Sequence, residues 1–326
     1  MIQLLEIKMH KMYSHLLLRK KPTDKLKPMS NYLWGIDLGG TKIEAVLIEE
    51  ASSKVVCRKR IPTEADRGYD HILNQIQKLV EDVETESELA RPKRIGIGTP
   101  GVSDPATGLI RNSNTVCLIG KPLVNDLENK LGVKVIAAND ANCFALAEAQ
   151  LGAGRGFNLV FGVIIGTGVG GGIVVDGKVL NGRMGIAGEW GHNVLDPDGE
   201  PCYCGKRGCV ETVLSGPFLE RAFERKYHEV ISPAEIEVGA KAGEPRCIEF
   251  LNEYAEQFGK AMSYVVNILD PDVIVLGGGV SNLEILYTKG TEGLHRWTFH
   301  EEATTPVKKA ELGDSAGVFG AALLTE

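Results

Sequence analysis

No stretch of this sequence is long and apolar enough to span a bilayer; its longest apolar runs are short and carry glycine, as in Leu159–Gly172. A membrane partner is therefore not expected. Basic charge is also lacking. The 36 Lys and Arg face 43 Asp and Glu, a formal net charge of −7. That argues against a nucleic-acid partner, which selects a basic face. The seven cysteines form no disulfide framework. Cys202, Cys204 and Cys209 crowd together, while Cys57, Cys117, Cys143 and Cys247 are scattered. An odd, uneven count points to a reducing, cytoplasmic setting with one metal cluster. Low-complexity segments are missing, and no glycine turn is followed by the Gly-Lys-Ser/Thr of a P-loop.

What remains is an ordinary globular composition. The 326 residues are 43% hydrophobic, enough for about two domains of ~150 residues with cores that need no disulfides. The first 28 residues differ: seven Lys or Arg stand there against Glu6 and Asp24, leaving 29 basic and 41 acidic residues in the rest. Residues 1–29 read as an N-terminal extension, either a disordered tail or sequence upstream of the true start at Met29. A basic tail that touches a partner and a targeting peptide are the alternatives.

Tyr32–Ile36 and Ile43–Ile48 read as strands around the turn Asp37-Leu38-Gly39-Gly40-Thr41, with Val55–Ile61 a third strand. Ile72, Ile76, Leu79, Val80 and Val83 fall at helical spacing and predict an amphipathic helix over 69–84. Arg94–Gly98 is a buried strand running into Thr99-Pro100-Gly101. Lys134–Ala138 is another, ending at Asn139-Asp140 before a helix from Ala141 to about Leu151, closed by Gly152. A second set follows: strand Leu159–Gly166, glycine turn Thr167–Gly172, strand Ile173–Val175 and the hairpin signal Asp176-Gly177. Residues 183–216 predict an irregular loop of the kind that is functional or stapled by a metal. Leu251, Tyr254, Ala255, Phe258, Met262, Val265 and Leu269 mark a long helix stopped by Asp270-Pro271. Val273–Leu276 is a buried strand entering Gly277-Gly278-Gly279, and Gly317–Leu324 a short apolar helix. Both halves open with strand, glycine turn, strand, which predicts two similar α/β lobes with a cleft between them.

Three glycine turns after strands are candidate phosphate or nucleotide cradles. In Asp37-Leu38-Gly39-Gly40-Thr41-Lys42, backbone N–H groups and a hydroxyl can approach an anion, while Asp37 suits a hydrated Mg²⁺. A plain hairpin turn is the alternative. Gly166-Thr167-Gly168 lies in a Gly-x-Gly-x-x-Gly run, but a strand follows it rather than a helix, so a dinucleotide fingerprint fails on context. Gly277-Gly278 suits a flat base or ribose. Asp140, at a helix start, is the candidate base for a hydroxyl attacking a γ-phosphoryl group; the helix dipole is expected to favour its ionised form. An ordinary helix cap is the alternative.

His192, Cys202, Cys204 and Cys209 match a Cys₃His zinc site. Four protein ligands leave no open position, so its role is structural. The second imidazole nitrogen of a zinc-bound histidine donates to an oxygen. With Glu189 and Glu211 beside the loop, it makes a plausible grip on a polyol; solvated loop carboxylates are the alternative.

Asp37–Lys42, Glu189-Trp190-Gly191-His192 and Cys202-Tyr203-Cys204-Gly205-Lys206-Arg207-Gly208-Cys209-Val210-Glu211 resemble the signature segments of the ROK family of repressors, open reading frames and kinases. The resemblance runs from about Asn31 to the C-terminus. It implies an actin-like, hexokinase-like (ribonuclease H-like) fold of two α/β lobes. One lobe is residues 30–138 with 312–326; the other, 139–311, carries the zinc loop. It implies an ATP-dependent sugar kinase using Mg²⁺ and structural Zn²⁺, in a homodimer. Asp140 is then the base. Pro100, Gly101, Asn114, Asn139, Asp140, Glu189, His192 and Glu211 lie at the sugar. Asp37, Gly39, Gly40, Thr41, Lys42, Gly166, Thr167, Gly168, Gly277 and Gly278 lie at the nucleotide. Ala187–Asn193, Pro201–Lys206 and Val266–Gly279 are similar to bacterial fructokinases that also accept mannose and act on the 6-hydroxyl. Glucose, mannose or an N-acetylhexosamine are the alternative sugars. The repressor branch carries a DNA-binding module, for which the residues before the first strand are too few.

Overall fold

A computed structural model of the chain describes residues 32–326, so the assignment of residues 1–29 lies outside the described residues. Strands β1 (Tyr32–Leu38) and β2 (Lys42–Glu49) pair antiparallel, with Leu38 opposite Ile43 across the Gly39–Thr41 turn. β3 (Val55–Pro62) extends this meander. Helix α1 (Tyr69–Ser87) buries the five apolar residues that predicted it and runs three residues further. β4 (Arg94–Thr99) joins β1 in parallel. The two-residue strands β5 (Val102–Ser103) and β6 (Ile110–Arg111) form a small ribbon. Helix α2 (Leu123–Leu131) then leads to β7 (Lys134–Asn139), parallel to β4. The sheet order is β3-β2-β1-β4-β7.

Helix α3 (Asp140–Leu151) crosses to the second lobe. There β8 (Leu159–Ile165), β9 (Val169–Val175), β10 (Lys178–Val179), β11 (Val273–Gly277) and β12 (Val307–Lys309) take the order β10-β9-β8-β11-β12. This is the first sheet's order repeated, with the same antiparallel meander and parallel partners. Between β10 and β11 lie the irregular loop and helices α4 (Glu211–Leu214), α5 (Gly216–Tyr227), α6 (Pro233–Lys241) and α7 (Pro245–Leu269). Helix α8 (Lys289–Trp297) precedes β12, and α9 (Ala316–Leu323) ends the chain. No helix among the described residues is long and apolar enough to cross a membrane.

Two local readings change. The glycines after Thr167 belong mostly to β9, so the turn shrinks to Gly166–Gly168, closed by the Gly166 N–H donating to the Gly168 carbonyl at 2.9 Å. They are strand residues because α3 lies directly on them. A Cβ at Gly172 would stand 2.6 Å from the Ala141 carbonyl oxygen. The long helix begins at Pro245, whose missing N–H costs nothing in a first turn.

The lobes meet through α3 and α9. Helix α3 lies on β8 and β9, α9 lies on β1 and β4, and the two helices pack on one another. Every residue of α3 from Ala141 to Ala149 is buried, the mark of a helix with no solvent face. Its alanines, and glycines opposite, make this possible. A Cβ at Gly96 would fall 1.7 Å from the Ala321 carbonyl oxygen, and one at Gly35 would fall 2.3 Å from that of Val318. Gly96→Ala is expected to lower stability by about 3 kcal/mol in urea unfolding, since α9 must lift off β4; a loss under about 0.5 kcal/mol would contradict this packing.

Candidate active site

Asp37 ends β1 and Asp140 begins α3, so both carboxylates face the cleft from different elements. With Gly277, Gly278, Gly279, Ser281, Lys309, Gly313, Asp314 and Gly317 they line a cavity of about 360 Å³. Gly278 has φ 83°, and a Cβ there would meet the Ile165 carbonyl oxygen at 2.3 Å, so only glycine fits this turn. The Asp37 carboxyl group is pushed up to about 6, first by burial and then by the Asp140 charge, against the pull of Lys42 and Arg60. Asp140 is open to the cleft, yet so much protein surrounds it that scarce water raises its pKa. The expected dipole effect is thus overridden. The Ala141 N–H donates to Asp140 Oδ1 at 2.8 Å, but desolvation outweighs it. Two carboxylates that resist ionisation in one cavity are a donor set suited to a hard divalent cation with phosphate oxygens.

Asn139 caps α3 by accepting from the Asn142 N–H at 2.9 Å, and its amide reaches Glu189 Oε1 at 3.5 Å. The sugar-side candidates therefore converge on the helix that bears Asp140. The Glu189 pKa is raised by burial, with Asp140 and Glu211 adding and His192 and Asn139 opposing. Glu211 opens α4 and accepts from the Val169 N–H at 3.0 Å through Oε2. A Cβ at Gly168 would meet that same oxygen at 2.6 Å, so the β8–β9 turn and this carboxylate are locked together.

The loop holding His192 folds by bridges Val194–Cys209 and Pro201–Arg207. A Cβ at Gly208 would lie 1.4 Å from the Asp196 carbonyl oxygen, so the loop tolerates only glycine there. The ligand atoms of His192, Cys202, Cys204 and Cys209 all lie within 4.8 Å of one another. Cys204 and Cys209 sulfurs are 3.6 Å apart, and Cys202 Sγ is 3.6 Å from His192 Nδ1. Tetrahedral thiolates about 2.3 Å from a zinc ion stand ~3.8 Å apart, so the four donors fit that ion. The other imidazole nitrogen, Nε2, lies 3.1 Å from the Tyr203 hydroxyl.

Other predicted residues are placed elsewhere. Gly40, Thr41 and Asn114 share an open hollow on the first lobe with Thr115 and Val116. The Gly39 N–H closes the first turn on the Lys42 carbonyl at 2.9 Å. Lys42 turns to the buried Glu44, 3.8 Å away, which Arg58 and Arg60 also pair. Pro100 and Gly101 form a turn against the β5–β6 ribbon, with Gly101 at φ 98° under Arg111 and Ser113. Gly166–Gly168 is tied to α5 by the Gly216 N–H donating to the Gly166 carbonyl at 2.8 Å. Sequence reading missed Ser281, Lys309, Gly313, Asp314 and Gly317 in the cavity, and Asn112, which lines a groove with Glu189 and His192. The one available signal was Gly313 just ahead of an apolar helix and Gly317 in its first turn.

Two lobes of repeated sheet order around a carboxylate-lined cleft define an actin-like, hexokinase-like fold. The chain belongs to the ROK family, whose model matches residues 33–326, and its class is that of ROK sugar kinases. An N-acetyl-D-glucosamine kinase of Pasteurella multocida is 37% identical over 303 residues, covering 89% of this chain and 98% of that one. The ROK hexokinase of Thermus thermophilus superposes with a TM-score of 0.81 at 34% identity, covering 90% of this chain and 97% of that one. A Streptomyces griseus ROK glucokinase, solved with glucose and AMPPNP, gives a TM-score of 0.73 at 29% identity, covering 89% and 98%.

A carboxyl group whose pKa is raised on folding binds protons more readily in the native state, so it costs stability as pH rises through its folded value. For Asp37 that window runs from 3.8 to about 6. In magnesium-free buffer without nucleotide, Asp37→Asn is therefore expected to stabilise the protein by about 2 kcal/mol at pH 7 and by almost nothing at pH 4. A variant equally stable to the parent at pH 7 would contradict the burial of this charge.

Proposed function

We propose that the protein transfers the γ-phosphoryl group of ATP to the 6-hydroxyl of a hexose, with Asp140 as general base. The supporting observation is Asp140 itself: a desolvated carboxylate that faces the glycine-turn cavity and adjoins the Asn139–Glu189 pair. A base in scarce water holds a proton more strongly than an exposed carboxylate does, which suits it to draw one from a sugar hydroxyl during attack. Glu189, Glu211, Asn139 and the His192 imidazole orient the sugar, with Pro100, Gly101 and Asn114 closing from the first lobe. Gly39–Lys42 and Gly166–Gly168 approach the phosphates, and Gly277–Gly278 the nucleoside. Asp37 would hold a hydrated Mg²⁺, which would neutralise charge on the phosphates and leave Asp140 free to act as the base. His192, Cys202, Cys204 and Cys209 would hold a zinc ion that keeps the Glu189–Glu211 loop in shape. Tyr203 leaves Nε2 when a sugar oxygen takes its place.

For the sugar, fructose was expected from the likeness of Ala187–Asn193 and Pro201–Lys206 to fructokinases, a likeness that the relatives do not support. A second reading, N-acetylglucosamine, is favoured by the names of the relatives a third identical to the chain. In either case the unpaired thiols support a cytoplasmic setting, and a homodimer is the family habit.

Asp140→Asn keeps the shape and the Ala141 hydrogen bond while removing the base. Turnover is expected to fall about a thousandfold in a variant that folds at least as stably as the parent, since a desolvated carboxylate is removed. Turnover within about tenfold of the parent would refute the assignment. Cys204→Ser is expected to lower zinc content and raise the sugar KM together. Full zinc loading with unchanged sugar affinity would overturn the structural role given to the loop.

A further inference from the structure

Glu148 lies two turns after Asp140 on α3, about 12 Å along the axis, and is fully buried. Its carboxylate lies outside the cleft cavity, so it does nothing in the mechanism above. It accepts hydrogen bonds from three backbone N–H groups. Oε2 accepts from Ala153 at 2.9 Å, and Oε1 from Leu312 at 2.9 Å and Glu311 at 3.1 Å. Gly152 makes room for it, because a Cβ there would fall 2.1 Å from Oε2.

Residues 311 and 312 lie on the chain's return from the second lobe to the first, between β12 and α9. That crossing is part of the cavity wall. Lys309, Ala310, Gly313, Asp314, Ala316 and Gly317 all line it, and a Cβ at Gly317 would meet Asp37 Oδ2 at 3.2 Å. On its far side, Arg58 donates to the Ser315 hydroxyl. The N–H groups of 311 and 312 point at α3 and donate to the Glu148 carboxylate. A carboxylate is the only side chain that presents acceptors alone; an amide would set an N–H against an N–H.

We propose that Glu148 is a positioning residue that fixes the nucleotide-side wall of the cleft to the helix bearing Asp140. It registers the 309–317 segment against Asp140 and so sets nucleotide affinity without touching the nucleotide. The inference rests on reading the Asp37–Gly317 cavity as the nucleotide site.

The test measures steady-state kinetics of full-length Glu148→Gln and Gly152→Ala with varied ATP and varied sugar. Glu148→Gln turns one of the two accepting oxygens into an N–H donor, and Gly152→Ala displaces the carboxylate from a different position. Both are expected to raise the KM for ATP about tenfold, while the sugar KM and the kcat at saturating ATP stay within about twofold. A merely structural residue would lower the active fraction and leave both KM values unchanged. That outcome, or unchanged kinetics in both variants, or failure of both to fold, would overturn the proposal. If one variant fails to fold, the other carries the test. A parent protein that neither binds nor consumes ATP would instead overturn the cavity reading, and the inference with it.

Discussion

Backbone contact between α3 and α9 is the constraint on which the cleft depends. A Cβ at Gly320 would lie 1.7 Å from the Cys143 carbonyl oxygen, so the two helices touch main chain to main chain. Each helix lies against a different sheet through further glycines, at 35 and 96 on one side and 162 and 172 on the other. The lobes therefore share a rigid two-helix seam, and a change of angle between them must be absorbed by these close contacts. Asp140 stands at the end of that seam, which explains how one carboxylate belongs to both lobes' surfaces.

That position has an electrostatic consequence. Desolvation raises the proton affinity of Asp37, Asp140 and Glu189 alike, and the Asp140 charge raises that of Asp37 and Glu189 further. The cleft thus brings three carboxyl groups together where charge is poorly solvated. Cationic and hydrogen-bonding ligands offset this, so binding free energy is available here without new apolar contact. Stability given up at a site and recovered on ligand binding is a common arrangement in enzymes.

Much of this was legible in the sequence. The strands around Gly39–Thr41 and Gly166–Gly168 announced themselves because a strand, a glycine turn and a strand form a local pattern. The cluster of His192, Cys202, Cys204 and Cys209, whose ligand atoms the fold brings within 4.8 Å of one another, was readable because three cysteines and a histidine within 18 residues have few other uses. Asp140, which lines the cavity, was singled out from its place between a buried strand and a helix. The direction of its pKa was not, because the helix dipole is a local property whereas desolvation depends on everything packed around the site. For the same reason the glycines of β9 were read as turn: nothing near them in sequence says that α3 lies on top. Lys309, Gly313 and Gly317 were missed because they line the cavity where the chain crosses between lobes, far in sequence from Asp37 and Asp140. Glu148 was not singled out, since two of its three partners lie 163 and 164 residues away.

The most direct measurement is ADP release by the zinc-loaded protein with Mg²⁺ and ATP, against fructose, mannose, glucose, N-acetylglucosamine and N-acetylmannosamine. The account predicts sugar-dependent ADP release with a clear preference for one hexose, fructose and N-acetylglucosamine being the two that decide between the sugar readings. ADP release that no hexose stimulates would contradict it.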